Sequence, residues 1–165
     1  MAIQQTFVLV KPDGVARGLI GEIIKRFEQR GFKIVALKLV QVSKNFAKMH
    51  YTEEIEKRRG KEVREALLDY VTSGPVVAMV VEGVDAIENI RKLVGSTESK
   101  SSLPGTIRGD YSHVSFSYAD QNHLPVRNVV HASSDETDAI NEISLWFSIE
   151  EFFSYKLSGE EYLYR

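Results

Sequence analysis

The chain has 165 residues, 43% of them hydrophobic and 27% charged, the composition of a globular protein long enough to bury a core of its own. A net charge of −2 argues against non-specific binding to nucleic acid or to an anionic membrane surface. With no cysteine, disulfides, thiolate metal sites and a cysteine nucleophile are excluded.

"TFVLVK", Thr6–Lys11, reads as a buried strand closed by the turn former "PDG" at Pro12–Gly14. "GEIIKRFEQRG" follows with Ile20, Ile23, Ile24 and Phe27 at helical spacing and Gly31 as a stop. "KIVALKLVQV", Lys33–Val42, is a second strand. A polar stretch to about Thr72 divides into short helices, with Thr52 as a cap, a break near Gly60, and Val63, Leu67, Tyr70 and Val71 on one face. "SGP" precedes a third strand, "VVAMVVEG", and "DAIENIRKLVG" is a helix with Ile87, Ile90, Leu93 and Val94 inward. Ser96–Asp110 is loop-like. "NVVHAS" is a fourth strand and Asp135–Phe147 a further amphipathic helix. The alternation suits a doubly wound α/β fold or a ferredoxin-like α+β sandwich, and the pattern alone leaves both open. No repeat or low-complexity linker interrupts residues 1–165, so one domain is expected. The N-terminus lacks a basic, signal-like segment, and no run approaches the roughly 18 apolar residues of a membrane span, so a cytoplasmic protein is expected.

The common phosphate signatures are missing: there is no GxxxxGK(S/T), and Gly14, Gly18 and Gly21 lack the GxGxxG spacing. His50, His113 and His123 are scattered, with no carboxylate grouping that suggests a metal. "EKRRGKEVRE" mixes both signs and reads as a solvated helix face, Arg58 and Arg59 included. "RGFKIVAL" matches the RNA-recognition sheet motif only loosely, because Lys33 sits where a small residue belongs. What remains is a strand-end Lys11, Arg91 with Thr97 and Arg108 in a Ser- and Gly-rich loop, and His131 at the end of an apolar strand. Each has a plain structural explanation by itself. Together, two arginines, a lysine and Thr97 can neutralise and orient a polyphosphate, and a histidine can supply a nucleophile.

Taken in order, "TFVLVKPDGVARGLIGEIIKRFEQRGFKIVALK", "HY" at His50–Tyr51, "SGPVVAMVVEG", "PGTIRGD", "RNVVHAS" and "EISLWF" resemble the nucleoside diphosphate kinase family, from Thr6 to about Tyr155. The resemblance implies a ferredoxin-like α+β sandwich, an antiparallel four-stranded sheet with helices packed on it. It also implies a homo-oligomer, usually a hexamer and in some members a tetramer. The implied reaction moves the γ-phosphoryl of a nucleoside triphosphate to a nucleoside diphosphate by a ping-pong route, with Mg²⁺ on the nucleotide phosphates. Such an enzyme maintains nucleoside triphosphate pools and takes ATP, GTP, ADP, GDP and others.

By the same matching, His131 is the phosphorylated histidine and Glu142 the carboxylate that orients it. Lys11, Arg91, Thr97, Arg108 and Asn128 fall on the nucleotide site, Tyr51 positions Lys11 and the transferring group, and no residue binds a metal directly. Ser133 falls on the family's active-site serine and could bond Glu142, although S-x-x-E with Glu136 would also make it a helix cap. Retention of this set argues against a non-catalytic nucleotide-binding domain on the same fold. Three departures stand out. The aromatic base clamp falls on Val63, and Thr52–Asp69 contains no aromatic residue, so only an aliphatic base contact and modest base affinity are expected. The acid after the histidine is moved by one position, in Ser133–Ser134–Asp135. The span from Arg108 to Asn128 is long, and "HVSFSYADQNHLPV" alternates like a strand, so 111–127 is expected to be an inserted hairpin whose Val114, Phe116 and Tyr118 face is covered by a neighbouring subunit.

Overall fold

The computed structural model describes residues 3–164. Four strands, β1 (Ile3–Val10), β2 (Lys33–Val40), β3 (Val76–Val84) and β4 (Val130–Ala132), form one sheet in the order β2-β3-β1-β4, with every neighbouring pair antiparallel. This is the antiparallel sandwich and not the doubly wound alternative. The central pair, β1 and β3, explains the unbroken apolar runs in the sequence. Side chains alternate between faces, and both faces are covered. Val8, Val10, Val77 and Met79 pack on one side with Ile23 and Phe27 of α2 (Ile20–Gln29) and Ile90 and Val94 of α6 (Ala86–Val94). Phe7, Leu9, Ala78 and Val80 pack on the other. There they meet Ala47 of α3 (Lys44–His50), Leu68 and Val71 of α5 (Lys61–Val71) and Trp146 of α9 (Glu136–Trp146). Each such buried large side chain contributes about 1.5–3 kcal/mol. Among the described residues no helix is long and apolar enough to cross a membrane.

Several local expectations are corrected. "PDG" does not simply turn: Pro12 opens a short helix, α1 (Pro12–Ala16), where its fixed φ and missing N–H suit the first position. Gly14 sits there because a Cβ would come within 2.8 Å of Val10 and 2.9 Å of the Val129 carbonyl oxygen. The polar stretch splits at Gly60, φ +92, between α4 (Glu53–Arg59) and α5, and Thr52 precedes α4 without a side-chain cap bond. The loop after α6 contains a single 3₁₀ turn at Ser99–Ser101 and α7 (Ile107–Tyr111). The N-cap of α9 is Asp135, which accepts from the Asp138 N–H, and not Ser133. After Trp146 come a 3₁₀ turn, Ile149–Glu151, and α10 (Glu160–Tyr164).

The largest correction concerns 111–127, which is no hairpin. Ser115 caps a helix, α8 (Phe116–Gln121), by accepting from the Tyr118 N–H at 3.1 Å. Once that cap forms, spacing of three and four replaces spacing of two, and Phe116, Ala119 and Asp120 share a face. Tyr118 points away and is 56% exposed.

Candidate active site

The site grows from the pairing of β1 with β4. Leu9 lies opposite His131 in the ladder, and the Lys11 N–H donates to the Val129 carbonyl at 2.9 Å. Period two then puts Phe7, Leu9 and Lys11 on one face, with His131 beside them. The Phe7 and His131 rings are 6.1 Å apart. The strand begins from a tight γ-turn: the Val130 N–H donates to the Asn128 carbonyl at 2.7 Å across Val129, whose φ is +71. Asp13 of α1 holds that turn by accepting from the Val129 N–H at 3.1 Å and from the Tyr70 hydroxyl. Asp13 was not singled out in the sequence; "KPDG" was the signal that contained it.

His131 Nε2 is 2.7 Å from Glu142 Oε1, and Ser133 Oγ donates to Glu142 Oε2 at 2.6 Å. Ser133 is fully buried and anchored to the backbone of Phe7. Burial pushes the Glu142 carboxyl up, but the bonds from His131 and Ser133 outweigh it and hold the group below its ordinary range. An ionised carboxylate only accepts, so Nε2 carries the proton and Nδ1 keeps a free lone pair.

His50 proves to belong here too, contrary to the reading of scattered histidines. Its ring meets that of His131 edge-on at 5.1 Å, and its Nδ1 accepts from Trp146 Nε1 at 3.3 Å. Burial, then the neighbouring His131, lowers its pKa to about 3, so it stays neutral and serves as packing. His50, His131 and Glu142 are close enough to hold an ion. Their chemistry does not suit Mg²⁺, which prefers oxygen ligands, and both Glu142 oxygens are already engaged.

The cations converge on the same cavity, about 590 Å³, which His131 also lines. Lys11 is 7% exposed and donates from Nζ to Asn128 Oδ1 at 2.7 Å, while Asn128 Nδ2 donates to the Thr97 carbonyl at 2.7 Å. Burial, reinforced by Arg108, lowers the Lys11 pKa to about 7. Arg108 is also 7% exposed and donates to the carbonyls of Gly95 at 2.9 Å and Val130 at 2.8 Å, while its buried Nε has no partner. Burial, then Arg91, lowers its pKa to about 10. A buried guanidinium and a buried amine, both held by neutral acceptors, would gain from negative charge brought in from outside. Arg91 and Thr97 line the cavity from exposed positions. Tyr51 is buried, its hydroxyl is unpartnered, and burial followed by Glu142 drives its pKa up. Val63 lines the cavity with Ala66 and Leu67, and Phe116 of α8 lines it as well. Arg59 is exposed, as expected, yet it also lines the cavity and stacks over Phe116. All ten residues singled out in the sequence therefore cluster here, eight lining the cavity, with Glu142 behind His131 and Ser133 behind Glu142. A second recess, about 780 Å³, lies beside α6, and its wall mixes Asp85, Glu88, Lys92 and Glu136 with no nucleophilic imidazole.

A family model described as nucleoside diphosphate kinase matches residues 4–152. Nucleoside diphosphate kinase of Borreliella burgdorferi is 46% identical over 161 residues, 97% of this chain and 96% of that one. The Archaeoglobus fulgidus enzyme of the same name is 48% identical over 163 residues, 98% of each. Among solved structures, a transition-state mimic of the Borrelia burgdorferi enzyme with bound vanadate and ADP superposes with a TM-score of 0.93 at 46% identity, covering 96% of this chain and 95% of that one. A halophilic nucleoside diphosphate kinase from Halobacterium salinarum in complex with CDP gives 0.84 at 37% identity, covering 99% and 100%.

Proposed function

This chain belongs to the nucleoside diphosphate kinase family of phosphotransferases, and on that premise we propose that His131 Nδ1 carries the phosphoryl group between nucleotides. The observation that carries the reading is the Ser133–Glu142–His131 chain, in which Glu142 accepts from Nε2–H and leaves Nδ1 free in the cavity shared with Lys11 and Arg108. In the first half-reaction the Nδ1 lone pair forms a bond to the γ-phosphorus of a nucleoside triphosphate. The bond from that phosphorus to the β–γ bridging oxygen breaks, and the diphosphate leaves with its electron pair. A terminal β-phosphate oxygen of a second diphosphate then attacks the phosphohistidine, and the N–P bond breaks to return the imidazole.

The ring gains positive charge while phosphorylated, and Glu142 offsets it through Nε2–H without moving. Phosphoryl transfer needs positioning and charge neutralisation more than covalent help. Arg108, Arg91 and Thr97 hold the β- and γ-phosphates, Lys11 reaches phosphate and ribose, Asn128 the ribose, and Tyr51 steadies Lys11 and the moving group. Mg²⁺ supplies further neutralisation when it arrives on the nucleotide phosphates, and a cavity lined by Lys11, Arg91 and Arg108 fits that route, since it repels a free cation. These phosphate contacts ignore the base, so purine and pyrimidine nucleotides both react. The reading includes a cytoplasmic homo-oligomer, with a hexamer the expected size, that maintains triphosphate pools.

The test is a pulse and chase. Incubation with γ-labelled ATP and Mg²⁺ should leave an alkali-stable, acid-labile label on the protein, and GDP should remove it as GTP. His131→Ala should take up none. Full transfer by that variant would overturn the mechanism.

A further inference from the structure

The α4–α5 arm lines the cavity with Val63, Ala66 and Leu67 and with no aromatic ring, since Tyr70 is buried away from it, yet the cavity does not lack one. We infer that Phe116, carried in by the inserted helix α8, is the aromatic surface on which the nucleobase stacks. The inference rests on reading this cavity as the nucleotide site. Among the described residues, Tyr51 and Phe116 are the only aromatic side chains lining it apart from the imidazoles. Tyr51 is 7% exposed and packs edge-on against His50 at 4.7 Å, beside the transfer chemistry, so it has no face to spare. Phe116 is half-buried and joins Val63, Leu67, Ala119 and Leu124 in the apolar part of the wall. Lys11, Arg91, Thr97 and Arg108 would take the phosphates, while Glu62 and Asp120 would repel them, so a nucleotide held by its phosphates leaves its base to the apolar part.

The helix is fixed where a binding element needs to be. Glu98 Oε1 accepts from the Phe116 N–H at 2.8 Å, and the Lys100 N–H donates to the Val114 carbonyl at 3.3 Å. Glu98 follows Thr97, whose carbonyl takes the Asn128 amide, so α8 is tied to the same loop that frames the phosphate end. The Arg59 guanidinium lies 4.9 Å from the Phe116 ring centroid and restrains the ring from the α4 side. Flat π surfaces stack regardless of which base is present, so this contact adds affinity without strong base preference.

The decisive comparison is between ADP and ribose 5-diphosphate, which has the same phosphates and sugar but no base. Binding is measured by calorimetry on the intact protein for wild type, Phe116→Leu, which keeps apolar bulk, and Phe116→Trp, which keeps a π face. ADP should bind wild type more tightly than ribose 5-diphosphate. Phe116→Leu should weaken ADP about tenfold and leave ribose 5-diphosphate unchanged, and Phe116→Trp should restore ADP. Equal weakening of both ligands, or unchanged ADP affinity in Phe116→Leu, overturns the inference. Labelling of His131 by γ-labelled ATP is followed in the wild-type preparation as a separate readout of the phosphotransfer reading. A wild type that never labels would instead defeat the phosphotransfer reading, and the ligand comparison would still report on stacking.

Discussion

Glu142 grips His131 by Nε2 at 2.7 Å and is itself gripped by Ser133 at 2.6 Å, so one carboxylate fixes both the tautomer and the aim of the imidazole. Glu142→Gln keeps the shape, but an amide offers either a donor or an acceptor and cannot balance charge on the ring. Turnover should fall about 10–100-fold, the usual cost of losing a partner that orients a functional histidine, with the KM for nucleotide nearly unchanged. A variant that loses affinity and keeps its turnover would show that Glu142 serves the fold and not the transfer.

Arg108 and Arg58 offer a matched pair of losses. Arg108 is buried, aimed into the cavity and short of one partner, whereas Arg58 lies on the exposed face of α4. Removing a preorganised charge donor costs about 2.7–4 kcal/mol, or about 10²–10³ in rate. Arg108→Ala should fall in that range and Arg58→Ala should match wild type in steady-state kinetics. Comparable effects from both would put the phosphates elsewhere.

The pKa of Lys11, lowered by burial from 10.5 to about 7, makes a prediction about protons. Between those values the unfolded chain holds a proton on Lys11 that the folded, empty site does not. Stability contributed by this group therefore rises with pH from about 7 upward and is lost as pH falls through 7. Phosphate oxygens reverse the balance by favouring the charged form, so nucleotide binding at pH 8 should take up protons. Calorimetry in buffers of different ionisation heat should detect uptake in wild type that Lys11→Met lacks. Equal heats across buffers for both proteins would rule out a titrating Lys11.

Asp13 should act through the backbone. It satisfies the Val129 N–H and the Tyr70 hydroxyl, both on buried residues, and so holds a β-branched residue at φ +71. Asp13→Ala should cost about 1–3 kcal/mol for each group left unpaired, read as a lower denaturation midpoint. Turnover should fall as well, because the same turn starts the strand that presents His131. Unchanged stability would mean that the turn holds itself.

The residues that were legible in the sequence are those that are ordinary one by one and make chemical sense only together. A lysine at the end of a buried strand, an arginine beside glycines and a histidine ending an apolar run all reach the cavity. What was illegible depended on competition between local patterns. Around Phe116 a period of two and a period of three to four both fit the apolar residues, and only the hydroxyl of Ser115 decides between them. "PDG" hid a helix because a first-turn proline reads equally well as a turn. Ser133 and Asp135 competed for one cap, and Asp135 takes it while Ser133 turns to Glu142. His50 joined the site through tertiary packing with Trp146, 96 residues away, which no short-range pattern records.

Assembly provides the last prediction. The expected covering of Phe116 by a neighbouring subunit is gone, since that ring lines the cavity, so any contact surface must be sought elsewhere. β2 is an outer strand of the sheet, and Leu37 and Leu39, two apart, are 52% and 62% exposed. They pair in the ladder with Met79 and Val77, whose own side chains are buried, while the leucines themselves stay open at the sheet's outer strand. An outer strand with exposed leucines invites association, and soluble proteins ordinarily protect such edges with charge or cover them. Within a homo-oligomer these leucines are the expected cover point. Leu37→Ser with Leu39→Ser should shift sedimentation towards smaller species and lower the thermal midpoint on dilution, while His131 still labels from γ-labelled ATP. If sedimentation matches wild type at every concentration, β2 is not part of the contact.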